Sequence, residues 1–167
     1  MLVKDGQIAQ DEFVSIGDGD ALPEKAAIVS LKRFLAEKET LLARKHPLGV
    51  RLEANESPNL LGSNVHDFAV IVLHVSHFRD GRAFSWSRLL RTRMNYAGEI
   101  RISGHFLKDQ IAFYARVGAN AFEVAKSIIP QDIASAFTEI SQVYQPSVDG
   151  RATILDLRAQ KTAATPS

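Results

Sequence analysis

Five apolar stretches, most of them followed by an amphipathic segment, set the rhythm of this chain. Ala69-Val-Ile-Val-Leu-His-Val75 is the clearest. It is β-branched and almost continuously apolar, as expected of a strand in a sheet covered by helices. Ala26-Ala-Ile-Val-Ser30, Val50-Arg-Leu-Glu53, Glu99-Ile-Arg-Ile-Ser103 and Ala121-Phe-Glu-Val124 read as shorter strands. Between them, Leu31, Phe34, Leu35, Leu41 and Leu42 predict a helix ending near Lys45, where Pro47 and Gly49 stop it. Residues 55–64 carry Pro58, Gly62 and several Asn and Ser, and read as a loop with one helical turn. Ser85 to Met94 places Trp86, Leu89, Leu90 and Met94 on one helical face. A helix from about Leu107 to Val117 buries Leu107, Ile111, Tyr114 and Ala115, and Gly118 sits where a left-handed cap belongs. Pro130 opens a last helix with the stripe Ile133, Phe137, Ile140 and Tyr144.

Strands separated by single helices imply right-handed crossovers and a parallel sheet. The expected architecture is a single α/β domain over residues 1–144, with about five mostly parallel strands and covering helices. An open sheet is favoured over a partial barrel, because eight β/α units need about 200 residues or more. Residues 1–24 suggest a short strand or hairpin, with Ile16-Gly-Asp-Gly-Asp20 as a turn; that run lacks the spacing and final Glu of a calcium loop. The tail, residues 145–167, is rich in Pro, Gly, Thr and Ala with one apolar patch at Ile154–Leu157, and reads as loosely ordered or docked on a partner.

The composition narrows the function classes. A chain of 167 residues with 46% apolar and 23% charged residues has ordinary soluble-domain proportions. A net charge of +1 gives no global reason to expect nucleic acid or membrane as a partner. The absence of cysteine excludes a disulfide scaffold, a thiol nucleophile and a Cys-ligated cluster. Without an apolar segment at Met1–Gly6 or a long hydrophobic run, a cytoplasmic location is expected. A homo-oligomer is left open.

The chemistry concentrates in two turns, His77-Phe-Arg-Asp-Gly-Arg82 and Ser103-Gly-His105, each directly after a strand. In a parallel sheet both leave from one edge, where such folds place ligands. Six arginines and only two acidic residues lie between Arg79 and Arg101. Guanidinium groups and helix N-termini suit an oxyanion. The anion-binding candidates are therefore Arg79, Asp80, Gly81, Arg82, Ser85, Ser103, Gly104 and His105; the competing reading is a solvated helix face with a capping turn. Asp80, Asp109 and Gln110 are the catalytic candidates, although Asp80 in Asp-Gly is also an ideal turn residue and Asp109 suits a helix start. His74, His77 and His105 near strand ends raise a metal, but His74 and His77 alternate across a continuing strand and no ligand motif is present, so none is assigned. No phosphate loop, dinucleotide fingerprint or nucleophile elbow is found, and no cofactor is recognisable.

The same stretch carries a resemblance. Phe78-Arg-Asp-Gly-Arg82, Ser85 with Arg88-Leu-Leu-Arg91, Tyr96-Ala-Gly-Glu-Ile-Arg101, Leu107-Lys-Asp-Gln110, Ala115-Arg-Val-Gly118 and Ala121-Phe122 follow in this order. Together they resemble a bacterial family of undefined function whose members lie beside sulfite-reductase genes and are described as oxidoreductases of sulfite reduction. The likeness spans roughly Leu48 to Val124. Ser76 and His77 stand where the family has Pro and a basic residue, His105 replaces an acidic residue, and Val117 replaces a Cys. The missing Cys speaks against thiol redox chemistry there. The resemblance implies a cytoplasmic, sulfur-assimilation context; an accessory role in bacterial sulfite reduction, with a sulfur oxyanion or a sulfite reductase or related redox protein as partner, fits that context together with the arginine turns. It carries no assigned catalytic residues, and nothing marks a site for siroheme, flavin or an iron–sulfur cluster. Two alternatives stay open: a small enzyme using Asp80, Arg82, Asp109 and Gln110 on a phosphorylated or carboxylated metabolite, and a scaffold docking an acidic protein surface.

Overall fold

A computed structural model describes residues 1–125 and 143–163. The chain begins with a hairpin, β1 (Leu2–Lys4) and β2 (Gln7–Ala9), whose two-residue turn Asp5-Gly6 has positive φ at both positions. Asp-Gly tolerates this conformation, and the turn's twist matches that of the flanking strands. Then come β3 (Val14–Ser15), β4 (Ala27–Ser30), β5 (Leu48–Leu52), β6 (Val70–Val75), β7 (Glu99–Gly104) and β8 (Ala121–Glu123). The connections hold α1 (Leu31–Ala36) and α2 (Lys38–Leu42), a 3-10 segment Pro58–Asp67, α3 (Arg82–Thr92) and α4 (Gln110–Arg116), while α5 (Ile154–Ala163) lies in the tail.

All eight strands form one sheet, ordered β2-β1-β8-β7-β6-β5-β4-β3. From β3 to β8 every neighbouring pair is parallel, and only β1 runs the other way, antiparallel to both β2 and β8. From β3 to β8 strand order thus follows chain order without a reversal, and β1 joins the far side of β8. Right-handed crossovers taken in one direction keep the connecting helices α1 to α4 on one face. The main core confirms this: Leu31 and Phe34 of α1, Leu41 of α2, Ala83 and Leu90 of α3, and Ile111 and Tyr114 of α4 pack with Ile71, Leu73, Ile100 and Ile102 of the sheet. Phe84 of α3 stacks on Tyr114 of α4 at 3.7 Å between ring centres.

The sheet curls into a half-barrel, and chain geometry requires it. A flat sheet of this size would hold its two edges about 34 Å apart at ~4.8 Å per strand. The edges β2 and β3 are joined by Gln10–Phe13 alone, which spans about 17 Å at most when extended. The edges must therefore bend towards each other, with this strap crossing the concave side.

Three expectations change. Eight strands stand in place of about five: the five expected ones are β4 to β8, β1 and β2 form a hairpin where the sequence suggests a short strand or hairpin, and β3, two residues long, is too short for alternation to register. The sheet is a curled half-barrel rather than the open sheet favoured from length, because the strap closes the path between its edges. The predicted helix from Leu31 is interrupted at Glu37 (φ −118°, ψ 26°), giving α1 and α2. The expected helix from Pro130, with Ile133, Phe137 and Ile140, lies outside the described residues. In the tail, Asp149 pairs with Arg116 at 3.1 Å and Ser147 donates to the Arg116 carbonyl at 2.7 Å, so this segment is tied to the end of α4. No helix among the described residues is long and apolar enough to cross a membrane.

Candidate functional site at the rim and concave face

Parallel pairing of β6 and β7, in register from Val70↔Glu99 to Val75↔Gly104, sends both following turns from one edge. The two turns are fastened together. Gln110 accepts from the Leu107 N–H at 3.0 Å and donates to the Phe78 carbonyl at 2.9 Å, and His105 N–H donates to the Val75 carbonyl at 2.7 Å. The convergence expected from the sequence is present.

The charges at this rim are partly spent on each other. Asp80 accepts from the Arg82 backbone N–H at 3.1 Å, from Nε at 2.9 Å and from Nη2 at 2.6 Å. The Arg82 guanidinium holds the Asp80 carboxyl below the usual carboxylate range. Asp80 thus satisfies a first-turn donor of α3 and occupies the Arg82 fork, and Gly81 is the residue preceding that helix. Arg79 lies over the Phe78 ring at 5.4 Å, with His77 stacked on the same ring. Ser85 is not brought to the rim turns: it opens onto a cleft of about 620 Å³ shared with Ser57, Asn59 and Arg88. Asp109 sits at the start of α4 without a side-chain capping bond. Of the remaining arginines, Arg91 is drawn inward. Its Nε donates to the Gly118 carbonyl and its Nη1 to those of Tyr96 and Gly98, at 2.6–2.9 Å. Gly118, φ +109°, takes the left-handed conformation expected there.

Ser103 and Gly104 lead to the other side of the sheet. Alternation puts Val70, Val72 and His74 of β6, and Glu99, Arg101 and Ser103 of β7, on the concave face. His74 Nδ1 lies 3.3 Å from Ser103 Oγ. Burial, and next the Arg51 charge, lower the His74 pKa. Gly104 has φ +92°, and a Cβ there would overlap the Val75 carbonyl and come within 2.8 Å of the His74 ring. A residue without a side chain is required for this ring to lie against the β7 terminus.

Below this pair sits an ion network that sequence reading missed as a unit. Arg101 is 1% exposed. Its Nε donates to Glu99 at 2.8 Å, and its outer edge donates to Asp11 at 2.8 and 3.1 Å and to Glu123 at 3.3 Å. Lys4 completes it on Glu99 at 2.9 Å. Burial works against the Arg101 charge, but hydrogen bonds and charges from Asp11 and Glu99 outweigh it and raise its pKa. The signal in the sequence was the alternation of Glu99, Arg101 and Ser103, which marks one polar face of a buried strand. Their partners Asp11 and Glu123 lie far away in sequence. Among the described residues, no three His, Asp or Glu side chains are grouped to hold a metal ion.

Comparison with curated proteins finds no match. A family model described as a bacterial protein of unknown function (DUF934) matches residues 49–155, from β5 through the rim into α5. With that match covering well over half of its length, the chain belongs to this bacterial family of unknown function.

Proposed function

We propose that this protein is an accessory component of bacterial sulfite reduction whose rim, formed by the turns after β6 and β7, docks a sulfite reductase or related redox protein. The context comes from the resemblance, two of whose segments, Phe78–Arg82 and Leu107–Gln110, lie in the rim turns. The role comes from one geometric observation: Gln110 fastens the two turns into a single surface. That surface presents Phe78 and Leu107, 38% and 46% exposed, beside the exposed Arg79; Leu107, expected on the buried face of a helix, instead precedes α4 and is exposed. Exposed apolar side chains next to arginine are characteristic of partner contacts. A sulfur oxyanion at the same place would have to take Arg82 from Asp80, so the docking role leads.

Co-purification of tagged protein from cells grown on sulfate tests the reading. The wild type should retain a reductase subunit, and the double variant Phe78→Ala, Arg79→Glu should lose it while melting at the same temperature. Recovery of no reductase by the wild type refutes the proposal, as does equal recovery by the variant.

A further inference from the structure

We propose that the concave face beneath the strap is a binding site for an organic carboxylate bearing a flat apolar group, and that Asp11 and Phe13 occupy it as an internal stand-in. Arg101 commits Nε to Glu99 on its own strand and turns the outer edge of its guanidinium to the strap. There Asp11 takes Nη1 and Nη2 with one oxygen each, at 2.8 and 3.1 Å. Such two-point contact is how a planar guanidinium selects a carboxylate. Two residues further on, where the Phe13 N–H donates to Asp11 at 3.1 Å, the Phe13 ring packs on Ile28, Val70 and Val72. It lies 5.9 Å from the guanidinium carbon. Gly49 sits between Ile28 and Val70 in register, and a Cβ there would collide with the Val70 side chain. The seat is thus a flat apolar floor with a carboxylate anchor one ring-length away.

Several features separate this from a purely structural tie. A buried ion cluster seldom outperforms apolar packing in stability, and barrel interiors are ordinarily filled by branched apolar layers. Here β7 keeps Glu99, Arg101 and Ser103 inward instead. The strap has no regular secondary structure and hangs between strands of three and two residues. A cleft of about 180 Å³ opens beside it, lined in part by Lys4, Gln10, Phe13, Glu99 and Arg101. The charge count is preserved: beside Lys4, Arg101, Glu99 and Glu123, the carboxylate of a ligand replaces that of Asp11 one for one. Ligand and strap therefore compete for one seat, and the apparent affinity falls with the fraction of time the strap is closed.

The test uses 3-phenylpropionate as probe, with acetate and 3-phenylpropionamide as controls lacking the ring or the charge. In the variant Asp11→Ala, Phe13→Ala, 3-phenylpropionate should raise the melting temperature and bind at least about tenfold more tightly than either control. In the wild type the same order should hold at higher concentration, and amide exchange at Gln10–Phe13 should accelerate as the probe displaces the strap. A folded variant without this preference overturns the proposal. Should the variant fail to fold, unchanged strap exchange in the wild type at saturating probe overturns it equally.

Discussion

Replacing Gly104 by alanine probes how tightly the end of β7 is held against His74. Two costs can be worked from the geometry. The backbone sits at φ +92°, a conformation that disfavours a side chain by about 1–2 kcal/mol. The new methyl would also overlap the Val75 carbonyl and approach His74 Cε1 and Nδ1 at 2.6 and 2.8 Å. The carbonyl cannot retreat cheaply, because the His105 N–H holds it at 2.7 Å. Overpacking of this kind costs about 1–3 kcal/mol. A total near 3 kcal/mol is a large share of a typical stability of roughly 5–15 kcal/mol. It should lower Tm on the order of 10 °C for a chain of this size. Urea unfolding followed through Trp86, the single tryptophan and packed against the core, supplies the measurement. Adding His74→Ala should relieve the ring overlap and leave the carbonyl overlap and the strained φ, so about 1 kcal/mol or less returns. A loss below about 1 kcal/mol for Gly104→Ala, or full rescue by His74→Ala, refutes the reasoning.

Arg91→Lys should cost about 2–4 kcal/mol, since one ammonium cannot reach the carbonyls of Tyr96, Gly98 and Gly118 together and leaves buried acceptors unmet. The exposed Arg88→Lys on the same helix serves as control, and equal midpoints in denaturant would count against the assignment. His74 gives a pH prediction. Its folded pKa is lowered by burial and by Arg51, so the unfolded chain, with a histidine pKa of about 6.5, takes up a proton that the folded state refuses. Its contribution is therefore level above that pH and turns destabilising as pH falls below it. The difference in urea midpoint between pH 7.5 and 5.5 should be larger for the wild type than for His74→Gln, and equal differences would exclude the effect.

The two turns became neighbours for a reason readable in the sequence, consecutive β/α units that place successive strands side by side. Their chemistry was less readable. The sequence suggested Arg82 as an anion ligand, but Asp80, two residues earlier in the same turn, already holds its fork. Arg101 ends the arginine-rich run that begins at Arg79, yet its position on an inward-facing alternation buries it under the strap.

The amino-acid sequence by itself determined where the five central strands and their helices fall, because burial imposes a period that each segment carries in its own residues. Only the tertiary structure decided that the sheet curls, since that depends on a short connection joining edges formed by opposite ends of the strand order. It also decided the company Arg101 keeps: Asp11 is ninety positions away, and a contact at such separation is set by the path of the whole chain, which no local pattern encodes.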